Sequence, residues 1–181
     1  NIMSANDPFG FDVREENSYK RVKPKMKNSK FENSVEMYYN GWRKDGIGYV
    51  KLSDVSKNED WIEKYKVLIP KAWGTGDISS DWLNPFIAAP NSCCTETYLV
   101  IGPFDDKVNA ENVVGYIQTK FFHFLVSLTK NTQNAMKKVY QFVPLQDFTS
   151  SSDIDWSQSV ADIDRQLYAK YGLSKEEVAF I

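Results

Sequence analysis

Three apolar segments of this chain each run into a proline: Lys66-Val67-Leu68-Ile69 into Pro70, Thr97 to Ile101 into Gly102-Pro103, and Val139 to Val143 into Pro144. Proline has no N–H to give to a strand ladder and fixes its own φ, so each segment is held to a handful of residues. That length suits short strands and excludes long helices at those places. Two further strands are predicted at Val35 to Tyr39 and Gly48 to Leu52, with the turn chemistry of Asn40-Gly41 and Asp45-Gly46 between them. Elsewhere the period changes. Val113, Ile117, Phe121, Leu125 and Leu128 recur at helical spacing, which predicts one long amphipathic helix capped by Asn109 and ending near Lys130.

Shorter helices flank this pattern. Asn58 is expected to cap one that runs to about Tyr65, with Glu59 and Asp60 in its first turn. Ser159 or Asp162 opens another, with Ile163, Leu167 and Tyr171 on one face and Gly172 just past its end. Ser174 and Glu177 then form the S-x-x-E capping box of a last helix. Strands and helices alternate without βαβ regularity, so the expected class is α+β. The expectation is one domain over residues 1–181, with a mixed or antiparallel sheet and a helical C-terminal extension over 150–181. A chain that lacks an initial methionine and stops just inside a helix is expected to be a piece of a longer one.

Aromatic residues make up 14% of the 181 residues (Phe 11, Tyr 10, Trp 5), more than a domain of this size can bury, which puts some of them on a binding surface. No apolar run approaches the roughly 20 residues needed to cross a bilayer. Cys93 and Cys94 are adjacent, and a bridge between neighbours is strained, so two free thiols and a cytoplasmic location are expected. The net charge of −2 argues against a nucleic-acid binder, but the charges are segregated. Lys20, Arg21, Lys23, Lys25, Lys27 and Lys30 form one basic run, and Lys120, Lys130, Lys137 and Lys138 lie in another acid-free stretch. Acids gather towards the end, at Asp147, Asp153, Asp155, Asp162, Asp164, Glu176 and Glu177.

Catalytic patterns are incomplete. His123 is the sole histidine and lies in the amphipathic stretch, which leaves no zinc set and points to a partly buried side chain. Gly74-Thr75-Gly76 lacks the third glycine or the Gly-Lys-Ser/Thr of a phosphate loop. Asp105-Asp106-Lys107 has the letters of a metal-dependent nuclease strand but follows Gly102-Pro103 and reads as a turn before a helix. Asn84-Pro85-Phe86 lacks the second proline of an amino-methyltransferase motif. Two loop-like stretches instead offer polar and basic groups suited to nucleic acid. One is the long segment Lys71 to Asn91 with Trp73-Gly74-Thr75-Gly76-Asp77, and the other is Thr129-Lys130-Asn131-Thr132-Gln133-Asn134. On composition alone, both also suit ordinary solvated loops.

Several blocks carry a resemblance: Lys64 to Ala72, Asn91 to Tyr98, Thr119 to Val126, Phe142 to Phe148 and Ile163 to Leu173. Together they resemble the C-terminal specificity region of adenine-N6 DNA methyltransferases of restriction–modification systems, especially single-chain enzymes, and more distantly the TaqI-like specificity domain. The resemblance covers nearly the whole chain from the Pro8-Phe9-Gly10 turn onward. It implies a target-recognition domain that binds double-stranded DNA and positions an adenine for an upstream methyltransferase domain. S-adenosylmethionine, and magnesium if the parent also cleaves, would belong to that parent. Lys71, Lys120, Lys130, Lys137 and Lys138 are the expected phosphate contacts; Trp73, Thr75, Asn131 and Gln133 are expected on the base-reading loops. Two rivals remain: a magnesium-dependent nuclease site around Asp105 and Lys107, and a protein–protein docking module built on the aromatic surface.

Overall fold

A computed structural model describes residues 2–12, 25–73, 82–130, 132 and 134–181. The described residues form two three-stranded sheets and five α-helices, an α+β fold. Strand β1 (Ser34–Tyr38) leads through a one-turn helix α1 (Trp42–Asp45) to β2 (Gly48–Lys51), and then come β3 (Tyr65–Pro70), β4 (Phe86–Ala88), β5 (Ser92–Cys94) and β6 (Tyr98–Phe104). Helices α2 (Lys107–Ile117), α3 (Lys120–Ser127), α4 (Val160–Lys170) and α5 (Lys175–Phe180) follow. One sheet has the order β4-β3-β6 and is wholly antiparallel; the other, β2-β1-β5, pairs β1 antiparallel with β2 and parallel with β5.

The β4-β3-β6 sheet is covered on both faces, which explains why β3 and β6 are continuously apolar instead of alternating. Val67, Ile69, Leu99 and Ile101 point to one side, into a cluster with Val113, Ile117, Phe121, Phe122, Ile163 and Leu167 from α2, α3 and α4. Leu68 and Val100, register partners across the ladder, point the other way and pack with Val35, Met37, Val50 and Cys93 of the second sheet. The result is three layers: helices, central sheet, second sheet. Each fully buried aliphatic side chain in the middle layer contributes about 1.5–3 kcal/mol relative to exposure.

The Pro8-Phe9-Gly10 turn closes the second cluster. Phe9 is completely buried, and the turn is fastened by Gly10 N–H to Asp7 Oδ1 at 3.1 Å and by Ser56 N–H to the Phe9 carbonyl at 3.2 Å. Asn58 takes part here rather than capping a helix. Its backbone is left-handed at φ 48°, its side-chain amide donates to the Pro8 carbonyl at 2.7 Å, and only a 3-10 turn, Glu59–Trp61, follows.

Other sequence expectations are corrected by the structure. The single long helix is two, broken at Gln118-Thr119, although the apolar spacing continues in phase across the break. Asp106, not Asn109, caps α2. The start of α3 is capped twice: Thr119 Oγ1 accepts the Phe122 N–H at 3.1 Å, while Asp164, reaching from α4, accepts the Lys120 and Phe121 N–H groups, each at 3.0 Å. A buried carboxylate at these orphan donors favours a new helix start over a continued one. The strand expected at Val139 to Val143 is a 3-10 turn, Lys137–Tyr140, whose Val139 carbonyl is taken by the Thr129 hydroxyl. Strand β6 runs past Gly102-Pro103 to Phe104, because a bulge between Tyr65 and Val67 relieves the ladder where proline has no N–H. Strands β4 and β5 lie within or beside the stretch read as loop. Ser159 caps α4, and the Ser174–Glu177 box caps α5.

Lys66 is an unusual core residue. It is fully buried, and its ammonium donates to the carbonyls of Trp61, Ile62 and Lys64 at 2.8, 3.0 and 2.6 Å. Burial pushes its pKa down to about 8 from 10.5, partly offset by the Cys93 and Cys94 thiols. Below that lowered value the lysine is charged in both states, and the folded chain carries the burial cost. Between about 8 and 10.5 the folded chain gives up the proton while the unfolded chain keeps it, so stability rises with pH in that window. Wild type is expected to gain on the order of 2 kcal/mol from this lysine across the window, measured as its urea-unfolding free energy minus that of Lys66→Met at each pH. A flat difference would contradict the assignment.

Candidate nucleic-acid interface

The described ends of the two polar stretches singled out by sequence meet in space. Ala72 forms an antiparallel bridge with Asn134, and Ala135 N–H donates to the Lys71 carbonyl at 2.6 Å. Next to this junction the Lys130 ammonium lies 4.3 Å from the centre of the Trp73 ring, a cation–π contact that joins the end of β3 to the turn after α3. The Lys130 N–H closes that turn on the Val126 carbonyl at 3.0 Å. Thus Trp73 and Lys130 are brought together, with Lys137 and Lys138 following shortly along the chain from Asn134.

Helix α3 also holds the other flank of the 74–81 segment. Trp82 stacks on His123, with ring centres 4.6 Å apart and planes inclined by 24°. His123 lies within α3, whereas Lys130 lies in the turn that follows it. Trp82 is thus seated on α3, and Trp73 contacts Lys130 in the turn just after it. Trp82 keeps 47% of its surface exposed. It went unnoticed in the sequence because its partner lies far along the chain; an exposed-aromatic reading of Ser80-Asp81-Trp82 was the available signal.

Lys71 does not belong to this surface. It is buried, and its ammonium donates to Glu96 Oε2 at 2.5 Å, with Asn6 Oδ1 at 3.4 Å. A cation neutralised inside the fold is not offered to phosphate. Lys120 is exposed but starts α3, at the opposite end of the helix from the turn that holds Lys130. Lys137 is exposed, and its ammonium donates to the Met3 carbonyl at 2.8 Å; Lys138 is exposed beside it. Thr75, Asn131 and Gln133 lie outside the described residues, as do Lys20, Arg21 and Lys23 of the basic run. Lys27 belongs to the second sheet, where it pairs with Tyr49 and its ammonium sits over Phe31 at 4.5 Å. Another cation lies on aromatic rings where α1 meets β4: Arg43 lies 4.7 Å from Trp42 and 5.2 Å from Phe86.

No family model, curated protein or solved structure matches the chain.

The nuclease triplet is dispersed. Asp105 is ion-paired with Lys64, Asp106 caps α2 through the Val108 N–H, and Lys107 pairs with Glu111 at 2.8 Å. Among the described residues, no group of three or more His, Cys, Asp or Glu side chains could hold a metal ion. Also among them, no helix is long and apolar enough to cross a membrane. Cys93 and Cys94 are free and buried; burial pushes the Cys93 thiol up to about 12 and that of Cys94 well above its ordinary value. Thiols held in the neutral form are poor nucleophiles.

Trp73 and Tyr140 meet just behind the junction. Burial raises the Tyr140 phenol pKa, and the nearby Trp73 indole partly opposes the rise. The two groups nevertheless miss hydrogen-bond geometry, and neither polar atom finds another partner among the described residues.

Proposed function

We propose that this chain is a DNA target-recognition domain whose reading surface is built where the segments after β3 and after α3 meet. The observation that carries the reading is the Ala72–Asn134 pairing with Lys130 over Trp73. It joins the described ends of two polar stretches, with Lys137 and Lys138 a few residues further along the chain. Lysines give sequence-independent affinity for the phosphate backbone, and loop side chains between them reach base edges. Exposed Trp82 adds a ring that can stack on or wedge against a base. On this reading, methyl transfer and its S-adenosylmethionine belong to a separate domain of an adenine-specific restriction–modification enzyme, as the sequence blocks suggest. Its setting is the cytoplasm, where buried free thiols stay reduced.

Binding to a random-sequence duplex pool, followed across salt, tests the proposal. The logarithm of affinity is expected to fall linearly with the logarithm of salt. Alanine at Lys130 or Lys138 should shallow that slope by about 0.9 for each lysine seated on a phosphate, and alanine at Lys137, held by the Met3 carbonyl, should change it less. Lys57→Ala, on the Phe9 turn, should leave it unchanged. Absence of salt-dependent binding to any duplex would sink the proposal.

A further inference from the structure

We infer that the apolar cavity between α2 and the 137–148 segment binds a small amphiphilic anion, an aliphatic or aromatic molecule with one negatively charged head. The cavity has a volume of about 530 Å³, within the roughly 300–1,000 Å³ typical of small-molecule sites. Its floor is Val113, Ile117, Phe122 and Phe148, all buried core residues. A hollow of this size beside such a floor suits an occupant with an apolar body. Water would find few partners on these walls.

Charge defines the other end of the ligand. The cationic lining residues are Lys137 and Lys138, both exposed, and no acidic side chain among the described residues lines the cavity. Lys137 is already committed to the Met3 carbonyl at 2.8 Å, which fixes it at the rim, so Lys138 is assigned the head group. Tyr140 also lines the cavity and is 7% exposed, with its hydroxyl beside the Trp73 indole, which is not part of the lining.

Decanoate and decanol, which share an alkyl body and differ in charge, test the inference by titration calorimetry on the whole chain below micelle-forming concentrations. Saturable binding of one decanoate per chain is expected, with decanol weaker by roughly threefold, the scale of a partly exposed ion pair. Lys138→Glu should weaken decanoate by roughly fivefold or more while sparing decanol. Val113→Phe, which fills the floor, should abolish binding of both. If that variant does not fold, as judged by circular dichroism, the Lys138→Glu comparison decides alone. Non-saturable uptake of decanoate, or equal binding of the two ligands with no response to Lys138→Glu, would overturn the inference.

Discussion

Lys71→Met is expected to destabilise the fold by about 3–5 kcal/mol, far more than loss of a surface lysine. The reason is what it leaves behind. Glu96 is 3% exposed, and its Oε1 already lacks a partner among the described residues. Without the Lys71 ammonium on Oε2, the carboxylate is buried and uncompensated. Replacing both residues, Lys71→Met with Glu96→Leu, should recover most of the loss, because a well-packed apolar pair avoids the desolvation of both charges. Urea unfolding of the single and double variants measures the coupling directly. A single variant within about 0.5 kcal/mol of wild type would show that the pair does not close in solution.

Phe9→Ala should cost about 3–5 kcal/mol, comparable to losing an aromatic residue from any tight core. The side chain is completely buried in the cluster between the two sheets. Little relaxation is available to refill the space, because its turn is tied down on both sides. Lys57 pairs with Asp7 at 2.7 Å, and Asn58 holds the Pro8 carbonyl. Upstream, Ser4 N–H donates to Val100 at 2.8 Å, and Met3 bridges to Ile101. Phe9→Leu should cost clearly less, since most of the apolar volume remains. Near-equal costs for the two variants, or a cost below about 1 kcal/mol for alanine, would mean that the N-terminal turn is not part of the core.

What could be read in the sequence was what neighbours in the chain determine. The β3 and β6 cores were legible as apolar runs with β-branched residues, and α4 and α5 from Ser159, Gly172 and the Ser174–Glu177 box. The break between α2 and α3 was hidden because hydrophobic phase survives it, while the deciding carboxylate, Asp164, comes from α4. Strand β5 was hidden for another reason: Ser92-Cys93-Cys94 is short and carries little strand propensity, and its place comes from pairing with β1. The candidate site divides in the same way. Lys130 and Trp73 could be named from composition and chain position, but not their contact. Lys71 looked like a surface cation because Glu96, its partner, lies 25 residues away and on the far side of β4 and β5.

The alternation along β3 and β6 has a consequence for how such a sequence can drift. Val67, Ile69, Leu99 and Ile101 pack in the cluster with the helices, whereas Leu68 and Val100 pack in the cluster with the second sheet and Phe9. Substitutions that reshape the helical side, and with it the surface near Lys130, need no compensation from the layer around Phe9. The central sheet thus parts two packing layers, so repacking the helical side leaves the contacts around Phe9 in place.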